Sequence, residues 1–327
     1  MKLLIITNNP QRASFRQRIE VYLPVLSESG IDCEVVRFPS SLIARHKLLR
    51  STGRYDGVFL QKRRLNPLDV LSLRGRCRKL IYDLDDAIMF SDKFPDKPGA
   101  KRRNDFARTV KFASTVICGN GFLAEQARRY NKNVEILPTG LDVGQYDLDI
   151  AKSDDMVRLV WIGSKSTLMY LEHIKPALEQ IGKMYDNVVL RIVCDAFFDL
   201  ENMPVEKCRW SLGTHAADIV SCDIGLAPLP DNNFTRGKCG FKILQYQAAS
   251  LATVASPVGV NSDFVTDGVT GFCARQTDRW VTSIKTLIDD IRLRNRMGLA
   301  AKNAARDFDL AVIGKRLTEI IKNGLKQ

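Results

Sequence analysis

Short apolar runs alternate with amphipathic stretches along most of the chain. KLLIIT at 2–7 is apolar at consecutive positions, as a strand covered on both faces of a parallel sheet must be. Residues 15–29, FRQRIEVYLPVLSES, carry apolar side chains at helical spacing; Pro24 breaks the pattern and Gly30 ends it. CEVVRF (33–38), YDGVFLQ (55–61), KLIYDLDD (79–86), STVICGN (114–120) and VEILPTG (134–140) read as further strands, with a helix over 122–130. The pattern then restarts. MVRLVWIG (156–163) ends at a glycine, as a first strand does, and a helix follows over about 168–184. Strands are predicted in VVLRIVCD (188–195), DIVSCDIGLAPL (218–229), LATVASP (251–257) and GFCA (271–274), and 278–325 reads as helical. Such alternation predicts parallel sheets with crossover helices. The polar, acidic stretch YDLDIAKSDDM sets the predicted boundary near 145–156. The expected fold class is α/β: two tandem Rossmann-like, doubly wound parallel-sheet domains facing a cleft, residues 1–150 and 151–327, with C-terminal helices able to pack back on the first. In such sheets ligands bind outside the carboxyl ends of the strands.

Composition narrows the partners. At 327 residues, 45% hydrophobic and 26% charged, the chain is ordinary globular material with enough apolar residues for two cores. The net charge of +12 falls mostly on residues 1–150 and is gathered in QKRRL (61–65), RGRCRK (74–79) and KRR (101–103). A basic surface suits anionic lipid headgroups or a phosphorylated substrate, and each cluster is equally readable as a solvated face. Nucleic acid is not expected, because no cluster is interleaved with aromatic residues. The eight cysteines form no CxxC pair and only three histidines are present, so neither a zinc site nor a disulfide framework is expected. The opening MKLLIITNN reads as a strand rather than a signal peptide, and no window approaches a membrane span. The expected location is cytoplasmic, with peripheral contact to an anionic membrane at its inner face as a further partner.

Four stretches carry candidate chemistry. VWIGSKST (160–167) ends a strand at Gly163, and Ser164 and Lys165 open a helix whose free N–H groups favour phosphate; a capped βα turn explains it as simply. FTRGKCGFKILQYQAAS (234–250) sets Lys238, Cys239, Gly240, Phe241 and Lys242 at a predicted helix start. Two lysines and the helix dipole suit a diphosphate, and Gln245 one turn inward suits ribose hydroxyls. YDLDDAI (82–88) offers Asp85 and Asp86 to orient a hydroxyl, accept its proton or hold a divalent metal, or simply to neutralise nearby arginines. NNPQRASFRQR (8–18) presents Ser14 as a helix cap, with Arg16 and Arg18 open to an anion. No GxGxxG or Walker motif is present, so neither a nicotinamide dehydrogenase nor a P-loop enzyme is supported.

Taken in chain order, these stretches resemble glycosyltransferases of the GT-B fold, family 4 or "group 1" type. VWIGSKSTLMYLE, DIGLAPLPDNNFTRGKCGFKILQYQAAS and LATVASPVGVNSDFVTDGVTGF are similar to the donor half, and YDLDDAI and VICGNGFLAEQARRYNKNVEILPTGLD to the acceptor half. The resemblance implies a retaining hexosyltransferase that moves a sugar from a nucleotide-diphosphate sugar to a hydroxyl acceptor. The acceptor would be a glycan, lipid-linked or anionic molecule, in cell-surface polysaccharide, glycolipid or glycoconjugate synthesis. No cofactor and no metal are implied, since lysines and helix dipoles stabilise the leaving group. It implies donor binding by Gly163, Ser164, Lys165, Lys238, Cys239, Gly240, Phe241, Lys242 and Gln245, acceptor binding by Ser14, Arg16, Arg18 and Asn120, and catalytic roles for Asp85, Asp86 and Lys238. Several positions depart from the family pattern. Gly237 and Gln245 replace the first and second glutamates of E-x7-E, Tyr170 replaces the second of a pair of basic residues, Ser250-Leu251-Ala252 replaces Gly-Pro, and Asn8, Asn9 and Ser14 stand in the loop where the family often has a double glycine. A nucleotide-sugar epimerase of the same fold and a non-enzymatic basic binding protein are the competing readings.

Overall fold

A computed structural model describes residues 1–152 and 155–326. It contains two parallel six-stranded sheets in two compact units. The first sheet comprises β1 (Lys2–Thr7), β2 (Asp32–Arg37), β3 (Gly57–Gln61), β4 (Leu80–Leu84), β5 (Thr115–Cys118) and β6 (Val134–Ile136), in the order β2-β1-β3-β4-β5-β6. The second comprises β7 (Val157–Ile162), β8 (Val188–Cys194), β9 (Val205–Arg209), β10 (Ile224–Ala227), β11 (Ala252–Ala255) and β12 (Gly271–Cys273), in the order β12-β11-β10-β7-β8-β9. Both are doubly wound. The direction of winding reverses between β1 and β3 in the first sheet and between β7 and β10 in the second, and the crevices that bind ligands open beyond the strand ends at such reversals.

The continuous apolar runs follow from burial on two faces. Leu4, Ile6, Val58, Leu60, Tyr82 and Val116 face one core, while Leu3, Ile5, Phe59, Ile81 and Ile117 face another on the opposite side of the same sheet. In the second unit Leu159, Trp161, Leu190, Ile192 and Val254 pack to one side and Val160, Ile162, Val193 and Ala255 to the other.

The units are not contiguous in sequence. The first holds Met1–Gly140, Asn232–Cys239 and the chain from Leu310 on; the second holds Leu141–Asp231 and Gly240–Asp309. The chain changes unit at Gly140 because Leu141, Val143 and Tyr146 are already buried in the second unit's core. Residues 153 and 154, within the predicted boundary stretch, lie outside the described residues.

The predicted 278–325 helix is three: Thr277–Asp289, Ile291–Ala305 and Leu310–Lys326. The first two belong to the second unit, whereas the last puts Ile313, Leu317 and Ile321 into the core of the first. Residues 168–184 are likewise two helices, Lys165–Glu172 and Lys175–Met184, the second opened by Pro176.

Candidate functional site

The candidate residues fall into two groups, one at the strand ends of each sheet. In the first unit, Asp85 and Asp86 follow β4, and Lys62 follows β3. Lys62 Nζ lies 3.0 Å from Asp85 Oδ1 and 2.5 Å from Asp86 Oδ2, and Lys238 Nζ lies 3.0 Å from Asp86 Oδ1. Ser14 donates its hydroxyl to Asp85 Oδ2 at 2.6 Å. Burial works against the Asp86 charge, but Lys62 and Lys238 more than offset it and hold the carboxyl below the usual carboxylate range. Burial likewise opposes the Lys62 charge; Asp85 and Asp86 prevail and raise its pKa above the ordinary lysine value. Lys62 was not singled out in the sequence. Its backbone is left-handed, φ 52°, a conformation costing about 1–2 kcal/mol for a residue with a side chain. Its N–H donates to the Asp83 carbonyl at 2.9 Å, one step beyond the β3–β4 ladder.

Residues 232–239 fold onto these strand ends. Asn120 Nδ2 donates to the Lys238 carbonyl at 2.9 Å, the Cys239 thiol donates to the Asp85 carbonyl at 3.2 Å, and Lys238 stands 4.5 Å over the Phe234 ring. Gly237 has ordinary backbone angles but no room: a Cβ there would overlap Ala87. The glutamate of the resembling family therefore has no space at this position. Gly119, after β5, is crowded in the same way by the Cys239 sulfur.

Several sequence expectations are corrected in this unit. Arg18 is not open to an anion. It is 4% exposed, binds Asp83 through Nε at 2.9 Å and Nη2 at 2.8 Å, and donates Nη1 to the Leu137 carbonyl at 2.6 Å. Burial opposes its charge, yet Asp83 keeps it protonated beyond the ordinary arginine range. Ser14 is not a helix cap; the helix Ala13–Arg18 starts one residue earlier and the hydroxyl is spent on Asp85. Arg16, on the same helix, donates Nη1 to the Gln11 carbonyl at 2.8 Å, in the loop that precedes it. Asn120 caps the helix Gly121–Arg128, accepting from the Leu123 N–H at 2.8 Å while its amide holds residue 238, so both ends of its side chain are engaged. Lys238 and Cys239, expected with the donor loop, are part of the first unit. Burial pushes the Cys239 thiol well above its ordinary pKa, which leaves it a packing and hydrogen-bonding group.

In the second unit the sheet opens at its reversal point. β7 and β10 pair only at Ile224↔Leu159 and Gly225↔Val160. Beyond that the Tyr246 hydroxyl takes over. It accepts from the Ile162 N–H at 3.0 Å and donates to the Leu226 carbonyl at 3.2 Å, joining the separating strands. A Cβ at Gly225 would meet the Tyr246 ring at 2.5 Å, so that position must be glycine.

Tyr246 lies on the helix Phe241–Ala248. Its first residue, Phe241, follows Gly240, which is left-handed at φ 61° and has Val260 and Phe264 within 3 Å of where a Cβ would stand. Lys242 Nζ stands 4.2 Å over the Trp161 ring. That same ring fills the space where a Gly163 side chain would be, so Gly163 accommodates Trp161 rather than a turn with positive φ. Ser164 caps the helix Lys165–Glu172, and the Lys165 N–H donates to Asp195 Oδ1 at 2.8 Å. The Gly163–Lys165 loop and the start of helix Phe241–Ala248 are thus linked through Trp161. Gln245, expected on a ribose, is 5% exposed and donates Nε2 to the Tyr146 hydroxyl at 2.9 Å. Tyr170, in the place of a basic residue, is 4% exposed. Among the described residues, no group of three or more His, Cys, Asp or Glu side chains is placed to hold a metal ion, and no helix is long and apolar enough to cross a membrane.

No family model and no curated relative matches the sequence. Solved structures do. HepE of Anabaena, in complex with UDP and glucose, is 17% identical over 99% of this chain and 100% of its own, with a TM-score of 0.73. Sucrose-phosphate synthase of Thermosynechococcus elongatus is 11% identical over 98% of each chain, with a TM-score of 0.78. WaaG, a glycosyltransferase involved in lipopolysaccharide biosynthesis, is 13% identical over 98% of this chain and 99% of its own, with a TM-score of 0.70. The fold is GT-B. At these identities the likeness is one of fold. In GT-B terms, the two Rossmann-like domains are the two units above, each with its candidate groups at the carboxyl ends of its strands.

Proposed function

We propose that the chain is a glycosyltransferase that moves a sugar from a nucleotide-diphosphate sugar to a hydroxyl acceptor with retention of configuration. The observation that carries this reading is the Trp161-linked pair of loops at the second sheet's reversal, where Lys242 stands at the start of helix Phe241–Ala248. A helix N-terminus with a lysine in its first turn favours a diphosphate, and the fold is shared with HepE, which binds UDP and UDP-glucose. Gly163, Ser164, Lys165, Gly240, Phe241 and Lys242 are the donor side of this proposal. Gln245 contributes through Tyr146, which it holds in place.

The acceptor belongs to the first unit. Asp85 and Asp86 are both ion-paired, and Asp86 is held too acidic to be an effective base near neutral pH. They orient the acceptor hydroxyl by accepting its hydrogen bond, and Lys62 and Lys238 fix them. The bond from the anomeric carbon to the diphosphate oxygen breaks, the bond to the acceptor oxygen forms on the same face, and the hydroxyl proton passes to the departing diphosphate. No metal or other cofactor enters this scheme. We place the reaction in the synthesis of cell-surface polysaccharide, glycolipid or glycoconjugate, in the cytoplasm or against the inner face of its membrane.

A thermal-shift series with UDP, GDP and ADP tests the donor side. A nucleotide at 100 times its Kd stabilises the fold by about 2.7 kcal/mol. Lys242→Ala should weaken that ligand by roughly tenfold, the worth of one charge-assisted contact. Absence of any shift, or an unchanged affinity in Lys242→Ala, overturns the assignment.

A further inference from the structure

The first unit contains a pocket of about 620 Å³ that the donor chemistry does not use. It opens beyond the ends of β1, β3 and β4, and Asp86 lies on its wall. Six cationic side chains line it: Arg12, Lys62, Arg63, Arg64, Lys101 and Arg102. Four carboxylates also line it, and none is without a partner: Asp69 pairs with Arg45, Asp86 with Lys62 and Lys238, and Asp105 with Arg108, and Asp92 is engaged as well. No described carboxylate pairs with Arg12, Arg63, Arg64, Lys101 or Arg102. Among the described residues, the side chain of Arg64 donates to the Ile88 carbonyl alone and that of Arg102 to the Phe90 carbonyl alone. Among the described residues no acceptor takes a hydrogen bond from the Arg63 side chain, and its Nε is buried. It shares the Phe38 ring with Arg45, the two guanidinium carbons standing 4.6 and 4.9 Å from the ring centre.

Positive charges gathered in a half-buried cavity whose carboxylates are paired with other partners repel one another and lose hydration. The arginines register this: burial, then Arg45, lowers the pKa of Arg63, and burial, then Arg102, lowers that of Arg64. An anion with several acceptor oxygens relieves both costs at once, and guanidinium forks match phosphate geometry. The pocket is far larger than a phosphate, and Ile88, Phe90 and Phe234 supply apolar wall beside the cations.

We infer that this pocket binds a phosphate group carried by the acceptor, a phosphate or diphosphate ester whose free hydroxyl reaches Asp86. The inference rests on the reading of the first unit as the acceptor side. The class of reaction that supplies this substrate is therefore a phosphorylation or phosphosugar transfer that leaves an anionic ester on the molecule to be glycosylated.

The full chain is titrated calorimetrically with inorganic pyrophosphate, alone and with UDP in excess, in three forms: the natural sequence, Arg12→Gln/Arg63→Gln, and Lys242→Ala. The side chains of Arg12 and Arg63 donate no hydrogen bond to the described residues, and thermal unfolding verifies that the double variant folds. The expected result is a pyrophosphate site that persists under excess UDP, is weakened roughly hundredfold in the double variant and is unchanged in Lys242→Ala. Pyrophosphate binding that is equal in all three forms, or that vanishes with UDP or with Lys242→Ala, overturns the inference. An arginine-dependent site that persists when UDP itself does not bind removes the donor assignment and leaves the pocket standing; UDP binding without the second site does the reverse. Glucose 1-phosphate and farnesyl diphosphate, run as competitors, then separate a soluble phosphosugar from a lipid-linked diphosphate.

Discussion

Asp86 shows how a single side chain acquires its role from its neighbours. Alone after a strand it is a generic acid, open to several chemistries. Between Lys62 and Lys238 it is a fixed anion, its carboxyl held below the ordinary carboxylate range. The sign of the pH effect follows. Its folded pKa lies below the unfolded value of about 4, so its ionisation stabilises the fold above that value and the contribution is lost as pH falls through the folded value. Asp86→Asn should therefore be less stable than the natural chain at pH 7, and the difference should shrink below about pH 4. Urea midpoints at both pH values measure it; a difference that is constant across the range refutes the assignment. Gly237 makes the complementary point. Its missing side chain is a matter of space beside Ala87, not of backbone freedom, and nothing in the residue's neighbours along the chain announces it.

At the level of elements, the helix Phe241–Ala248 is framed by two left-handed residues, Gly240 at φ 61° and Ser250 at φ 59°. The first is the residue the geometry favours and the second is not. Ser250→Gly should stabilise the protein by about 1 kcal/mol, the cost of placing a side chain in that region, as read by the shift in denaturant midpoint. A neutral or destabilising result would mean that its hydroxyl contributes more than its backbone costs.

Most strands were legible as apolar runs, because a strand buried on both faces leaves little choice of residue. The edge strand β9, VEKCR, was not, since its side chains are largely polar and partly exposed. The helices Leu42–Arg50 and Pro67–Leu73 escaped for a related reason: each buries only a narrow stripe. The site was legible in part. The strand-end positions of Asp85, Asp86, Gly163 and Lys165 could be read from where apolar runs stop. The Lys62 bridge could have been found by aligning the ends of β3 and β4, whereas the commitments of Arg18 to Asp83 and of Gln245 to Tyr146 join residues 65 and 99 apart, beyond any local pattern.

For the whole molecule, the doubly wound sheets explain why the chemistry-bearing residues gather at strand ends, and the discontinuous units explain why a cut in sequence is not a cut in structure. Ending the chain at Asp309 should leave Leu3, Ile5, Tyr22 and Phe59 exposed where Ile313, Leu317 and Ile321 now cover them. Limited proteolysis should then cleave within residues 1–140, and apolar dye binding should rise; a truncated chain as protease-resistant as the full one would contradict this. The same arrangement sets an order in time. A ribosome delivers the first sheet early, but the helix that seals one of its faces follows the whole of the second unit along the chain. The nascent first unit therefore waits, unsealed on that face, while residues 141–309 are made, and what it offers a chaperone in that interval is the apolar face of a sheet whose strands are all present.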